Sequence, residues 1–79
     1  MNRDLILTEL QEIFRKEFSD ASIVLTESTT ADDVALWDSL THMSLMDTVE
    51  GHFKVSFSLD EIISFGNVGD LVNAIENKS

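Results

Sequence analysis

The sequence predicts an all-α fold, a small four-helix bundle of three longer helices and one short one, in a single domain over residues 1–79. Three observations carry this. Apolar residues recur at three- and four-residue spacing in three stretches, a capping residue stands at the head of each helix, and the one alternating segment, Val55, Phe57 and Leu59, has no second strand to pair with.

The first helix runs from about Arg3 to Phe18. Ile6, Leu10, Ile13 and Phe14 form its inward stripe, widened by Leu5 and Leu7 near the start. Asn2 caps it, Asp4 suits the positive amino-terminal end, and Arg15 and Lys16 suit the other. From Ser19 to Asp38 the period breaks into a long connection. It holds Ile23-Val24-Leu25 as an apolar anchor, Ser28-Thr29-Thr30-Ala31 as an irregular polar stretch, and Asp32-Asp33-Val34-Ala35-Leu36 as a short turn that places Val34 or Leu36 on the core. Asp32 and Asp33 are expected to be solvated, because a hard-cation loop spreads several oxygen ligands at a defined spacing and none follows them.

The second helix spans Ser39 to Phe53, with Leu45, Met46, Val49 and Phe53 facing inward and Met43, Asp47 and Glu50 towards the other side. Lys54 to Ser58 form an extended connector whose Val55 and Phe57 enter the core. Ser58 and Glu61 make a capping box for the short third helix, Leu59 to about Phe65, with Asp60 and Glu61 in its first turn. Gly66 ends that turn, Asn67 caps the last helix, and Val68, Leu71, Val72 and Ile75 supply its stripe. Gly69 inside this helix costs about 1 kcal/mol relative to alanine. The last helix is therefore expected to depend on packing against the first two, with Asn77-Lys78-Ser79 frayed.

Composition narrows the function. With no cysteine, neither a disulfide framework nor a cysteine-ligated metal can brace the fold, and any thioester chemistry must bring its sulfur on a prosthetic group. A formal charge of −10 with five Lys and Arg in all excludes a duplex-binding role and favours partners with basic docking surfaces, recruited more slowly as salt rises. No apolar run reaches membrane-spanning length and no signal-peptide pattern opens the chain, so a cytoplasmic monomer is expected. Gly66-Asn67-Val68-Gly69 lacks the lysine and preceding strand of a phosphate loop, and no metal site is assigned.

Chemistry concentrates in Leu36-Trp37-Asp38-Ser39-Leu40-Thr41-His42-Met43. As N-cap, Asp38 can accept from the amides of Leu40 and Thr41, leaving Ser39 in the first turn with its hydroxyl outward. Unpaired amides and the helix dipole there favour an anionic group on that oxygen, a phosphodiester above all. His42 lies one turn on, which raises a serine hydrolase. Nucleophilic catalysis needs the base in contact with the hydroxyl, a third group to orient it and donors for the oxyanion, whereas side chains three apart on one helix are not aimed at each other. His42 is read as a surface or partner-facing residue, and no catalytic residue is assigned. His52 near the helix end has its protonated form favoured by the carboxyl-terminal dipole.

Asp38-Ser39-Leu40 opening a helix, in an acidic chain of this length, resembles the acyl carrier protein family. Phe53, the Phe57-Ser58-Leu59-Asp60-Glu61 segment and the Asn67-Val68-Gly69-Asp70-Leu71 segment also sit where that family has counterparts. The resemblance implies that Ser39 is the attachment point of phosphopantetheine, placed there from coenzyme A by a phosphopantetheinyl transferase. It further implies an acyl or aminoacyl thioester on the arm, carried from a loading ligase to acyl-using enzymes by a chain that catalyses nothing itself. Asp38, Leu40, Thr41, His42, Met43 and Asp47 then fall at positions of transferase and partner recognition. Fatty-acid carriers tend to place acids early on this helix, whereas Thr41, His42 and Ser44 are neutral or nearly so, which points to a specialised polyketide, lipid or saccharide-modifying pathway. The alternative is a non-enzymatic acidic interaction module with no prosthetic group.

Overall fold

Asn2 starts the first helix by accepting the Leu5 amide on its side chain at 2.8 Å, the bond expected of an N-cap. The computed structural model describes residues 2–78, in the order α1 (Arg3–Glu17), a 3-10 turn (Ala31–Asp33), α2 (Ser39–Phe53), α3 (Leu59–Ser64) and α4 (Val68–Lys78). No strand occurs among the described residues. Helix α1 is the centre of the bundle and packs against both α2 and α4.

The core follows the apolar period. Ile6, Leu10, Ile13 and Phe14 of α1, Leu45, Met46 and Val49 of α2, and Val68, Leu71, Val72 and Ile75 of α4 are buried together, with Phe53 and Val55 packed partly buried against them. Leu5 stands largely exposed while Leu7 packs inward, so only one of the two widens the stripe. Phe18 ends α1 rather than extending it, and Ser19 turns the chain with a left-handed φ of 50°.

The long connection is fastened to α1 by polar side chains. Arg15 donates from Nε to the Ile23 carbonyl at 2.8 Å, and Gln11 accepts the Leu25 amide at 3.0 Å. Extended backbone between them alternates its side chains, burying Ile23 and Leu25 and leaving Val24 exposed. Val34 is the residue dropped onto the core, Leu36 stays outside, and Trp37 is buried beside them, edge-on to Phe14 with centroids 5.0 Å apart. Asp33 is not simply solvated. Its carboxylate accepts the Thr30 amide at 2.9 Å and closes a capping box on the 3-10 turn.

Two further departures have physical causes. Glu50 does not point away from the fold: its carboxylate accepts the Phe57 amide at 2.7 Å, and its carbonyl accepts from Val55 at 3.2 Å, after Lys54 has reversed the chain at a left-handed φ of 57°. An extended connector leaves its amides without ladder partners, and Glu50 supplies one. Asn77 and Lys78 are helical, with Lys78 paired to Glu61 at 3.3 Å, while Ser79 lies outside the described residues.

Helix α4 begins against the long connection. The Val68 amide donates to Thr29 O at 2.9 Å and the Gly69 amide to Glu27 O at 2.7 Å, which satisfies two of the donors a helix start leaves open. Arg3 reaches the same region from α1, bonding Glu27, Asn73 at 2.6 Å and Glu76 at 3.0 Å. The last helix thus leans on α1 and on residues 27–29.

Candidate functional site

The first turn of α2 is built by a reciprocal cap. Asp38 Oδ1 accepts the amides of Leu40 at 3.0 Å and Thr41 at 2.9 Å. Thr41 Oγ1 accepts the Asp38 amide at 2.8 Å and donates to the Leu36 carbonyl at 2.8 Å. The Thr41 amide, with the Leu40 amide and the Thr41 hydroxyl adding to it, holds the Asp38 carboxyl below its ordinary value, so it is ionised at neutral pH. Ser39 is the first helical residue and is exposed. Two of the amides that the sequence offers to an anion are therefore already taken by Asp38. What the turn provides at Ser39 is an accessible hydroxyl on backbone held in place, with the helix dipole behind it.

His42 is not a free surface residue. It is half-buried, with Nδ1 3.0 Å from the Trp37 indole nitrogen and Nε2 2.9 Å from the Ile62 carbonyl oxygen. Both ring nitrogens are engaged away from Ser39, so the ring is not placed to take its proton. His52 bridges to α1 instead of serving only its own helix end, its Nε2 lying 2.6 Å from Glu9 Oε1.

Beside Ser39 lies a groove of about 300 Å³, at the small end of the range for small-molecule sites. Trp37, Asp38, Ser39, His42 and Met43 line it from the start of α2, and Ile62, Ile63 and Phe65 from α3 and its end. Around it stand exposed apolar side chains, Leu40 at 83%, Ile63 at 70%, Leu36 at 58% and Met43 at 42% exposure. Asp47 is exposed one turn beyond Met43. Of the residues singled out from sequence, Asp38, Ser39, His42 and Met43 come together on the groove, while Leu40 and Asp47 are exposed outside its lining. Thr41 is half-buried and works as a cap. Trp37 and the α3 residues were missed as site residues. A lone tryptophan next to the N-cap was the available signal for the first; the second is brought in by tertiary folding.

The family model described as phosphopantetheine attachment site matches residues 8–75. A solved structure, the solution NMR structure of holo acyl carrier protein from Geobacter metallireducens, superposes with a TM-score of 0.86 at 46% sequence identity, covering 92% of this chain and 84% of that one. The chain belongs to the phosphopantetheine-binding acyl carrier family. No curated protein matches it significantly.

For a carrier of this family the prosthetic group is phosphopantetheine, and the site fits it. The arm is flexible and partly apolar, which matches an exposed hydroxyl beside an apolar-walled groove. Among the described residues no cluster of metal-ligating side chains is present, and no helix is long and apolar enough to cross a membrane.

Proposed function

We propose that this chain is an acyl carrier whose Ser39 hydroxyl bears phosphopantetheine. The observation that carries the reading is the exposed Ser39 at the first position of α2, fixed by the Asp38 cap and bordering the groove, in a chain of this family. When bound, the group supplies a terminal thiol on which an acyl or aminoacyl unit travels as a thioester. Ser39 contributes the oxygen that a phosphopantetheinyl transferase joins to the phosphate. Asp38 holds that oxygen in place by locking the turn, and offers the transferase an ionised carboxylate. Thr41 and His42 contribute indirectly, by shaping the turn and the groove.

Leu40, Met43 and Asp47 form the exposed docking face of α2 for a loading ligase and for acyl-using enzymes. A net charge of −10 attracts partners with basic docking surfaces, and the apolar rim around Ser39 then gives the contact its short-range hold. The neutral start of α2 supports a specialised pathway over ordinary fatty-acid synthesis, with the carrier acting as a cytoplasmic monomer.

The deciding experiment is intact-mass measurement after incubation with coenzyme A, magnesium and a broad-specificity phosphopantetheinyl transferase. One phosphopantetheine addition on the wild type and none on Ser39→Ala is the expected result. No addition on a folded wild type, with a known carrier modified in parallel, would leave an acidic interaction module as the better account.

A further inference from the structure

The ring of His42 sits between two groups that dictate where its proton lies. The Trp37 indole nitrogen can only donate, so Nδ1, 3.0 Å away, must be the acceptor and the proton of the neutral ring is on Nε2. The Ile62 carbonyl, 2.9 Å from Nε2, can only accept. Ile62 lies in the last turn of α3, where a helix leaves its carbonyls without partners. The amide that would close on it in a longer helix is that of Gly66, which donates instead to Asp70 Oδ2 at 2.9 Å. Phe65 has by then left the helix, with ψ at 111°. His42 supplies from α2 the donor that α3 lacks.

We propose that His42 is a positioning residue for the group carried on Ser39. Held as the Nε2–H tautomer between Trp37 and Ile62, it fixes α3 against the start of α2 and so sets the width of the groove, which both partners line. The role rests on Ser39 being the attachment point, but the tie itself belongs to the unmodified chain.

The neighbouring charged groups are otherwise occupied or solvated. Asp38 is spent on the amides of its own turn, and Asp33 of the 3-10 turn on Thr30. On α3, Glu61 is held by Ser58 and Lys78, and Asp60 is exposed. Asp70 of α4 is engaged with Gly66.

Glutamine is the discriminating substitution, since its amide can present an oxygen to Trp37 and an N–H to Ile62. Leucine fills similar space and makes neither bond. NMR of the isotope-labelled wild type at neutral pH should show the His42 ring protonated on Nε2, with the Trp37 indole proton resonance displaced downfield by its bond to Nδ1. That displacement should persist in His42→Gln and be lost in His42→Leu. Exchange of the amides of residues 62–65 should be roughly tenfold faster in His42→Leu and near wild type in His42→Gln. After loading with a phosphopantetheine arm bearing an octanoyl chain, the Ile63 and Phe65 amides should shift in the wild type and His42→Gln and stay put in His42→Leu. An Nδ1–H tautomer, or His42→Leu matching His42→Gln in exchange and in arm-induced shifts, overturns the proposal. A folded chain that accepts no arm refutes the reading of Ser39 and the positioning role with it, while the tautomer and exchange results still decide whether the tie exists.

Discussion

The amide of Gly69 donates to the carbonyl oxygen of Glu27 at 2.7 Å, and a Cβ at position 69 would lie 2.9 Å from that same oxygen. The backbone of the long connection therefore approaches α4 at the one residue that has no side chain to obstruct it. Alanine is the better helix former by about 1 kcal/mol, yet backbone cannot yield as a flexible side chain would. Gly69→Ala should lower stability by about 1–3 kcal/mol, the range for overpacking a close contact, as read from chemical denaturation. A stabilised variant would show that the connection moves aside freely.

Asp38→Ala removes a capping carboxylate and the ionised group next to Ser39. Loss of the cap should cost about 1 kcal/mol in thermal or urea unfolding. The rate of phosphopantetheine transfer should fall further, by roughly tenfold or more, the factor that about 1.4 kcal/mol of lost transition-state stabilisation represents. Asp38→Asn, which keeps an acceptor for the two amides, should recover stability more fully than rate. Equal rates for wild type and alanine variant would remove Asp38 from the recognition of the transferase.

Met43→Glu places a charge on the exposed rim of the groove. Its side chain is 42% exposed, so the helical circular dichroism signal and the melting temperature should stay close to wild type. Transfer of cargo by a partner enzyme should weaken, chiefly through KM. A collapsed fold would show instead that Met43 is part of the core.

Acid should destabilise the chain in a defined direction. Four carboxyls are held below their ordinary values: Asp20 by the Ser22 hydroxyl, Glu27 by Arg3, Asp38 by the Thr41 amide and Glu61 by the Ser58 amide. A depressed folded value means that the stabilisation is complete above the ordinary carboxylate range, about pH 4, and is lost as pH falls through the folded values. All four are solvent-facing, so the individual effects are small, and removing part of a −10 charge acts the other way. The melting temperature should hold between about pH 7 and 5 and decline below about pH 4. Added salt at neutral pH should raise it by screening the self-repulsion, and a rise on acidification below pH 4 in low salt would mean that repulsion outweighs the caps.

The helices were legible because their signals are local. Asp38 and the 3.6-residue period fix both ends of α2, Ser58 and Glu61 mark α3, and Asn67 accepts the Asp70 amide at 2.9 Å as an N-cap should. Ser39 was legible for the same reason, since its exposure follows from standing one residue past a cap. Trp37, Glu50 and His42 were not. Periodicity assigns a residue to a face, but the partner of a polar side chain depends on where the chain returns. His42 meets a carbonyl twenty residues away, and Glu50 an amide seven residues on, beyond a left-handed turn that no glycine announces. Asp33 and Gly69 were weighed for what each does within its own segment, whereas Gly69 is set by a neighbour forty-two positions earlier in sequence.

Glu50 and His42 hold the third helix from its two sides: one grips the amide at its approach, the other the carbonyl at its last turn. Six residues are too few to make a self-supporting helix. Helix α3 is therefore a bar hung from α2 at two points, His42 and Glu50, eight residues apart along the helix that carries Ser39. A cargo that outgrows the groove would have to lift the His42 end and swing the bar on the Glu50 end. The carrier's tolerance for bulk then depends on how firmly His42, the buried Ile62 side chain and the Lys78–Glu61 pair together hold the far end of a lever.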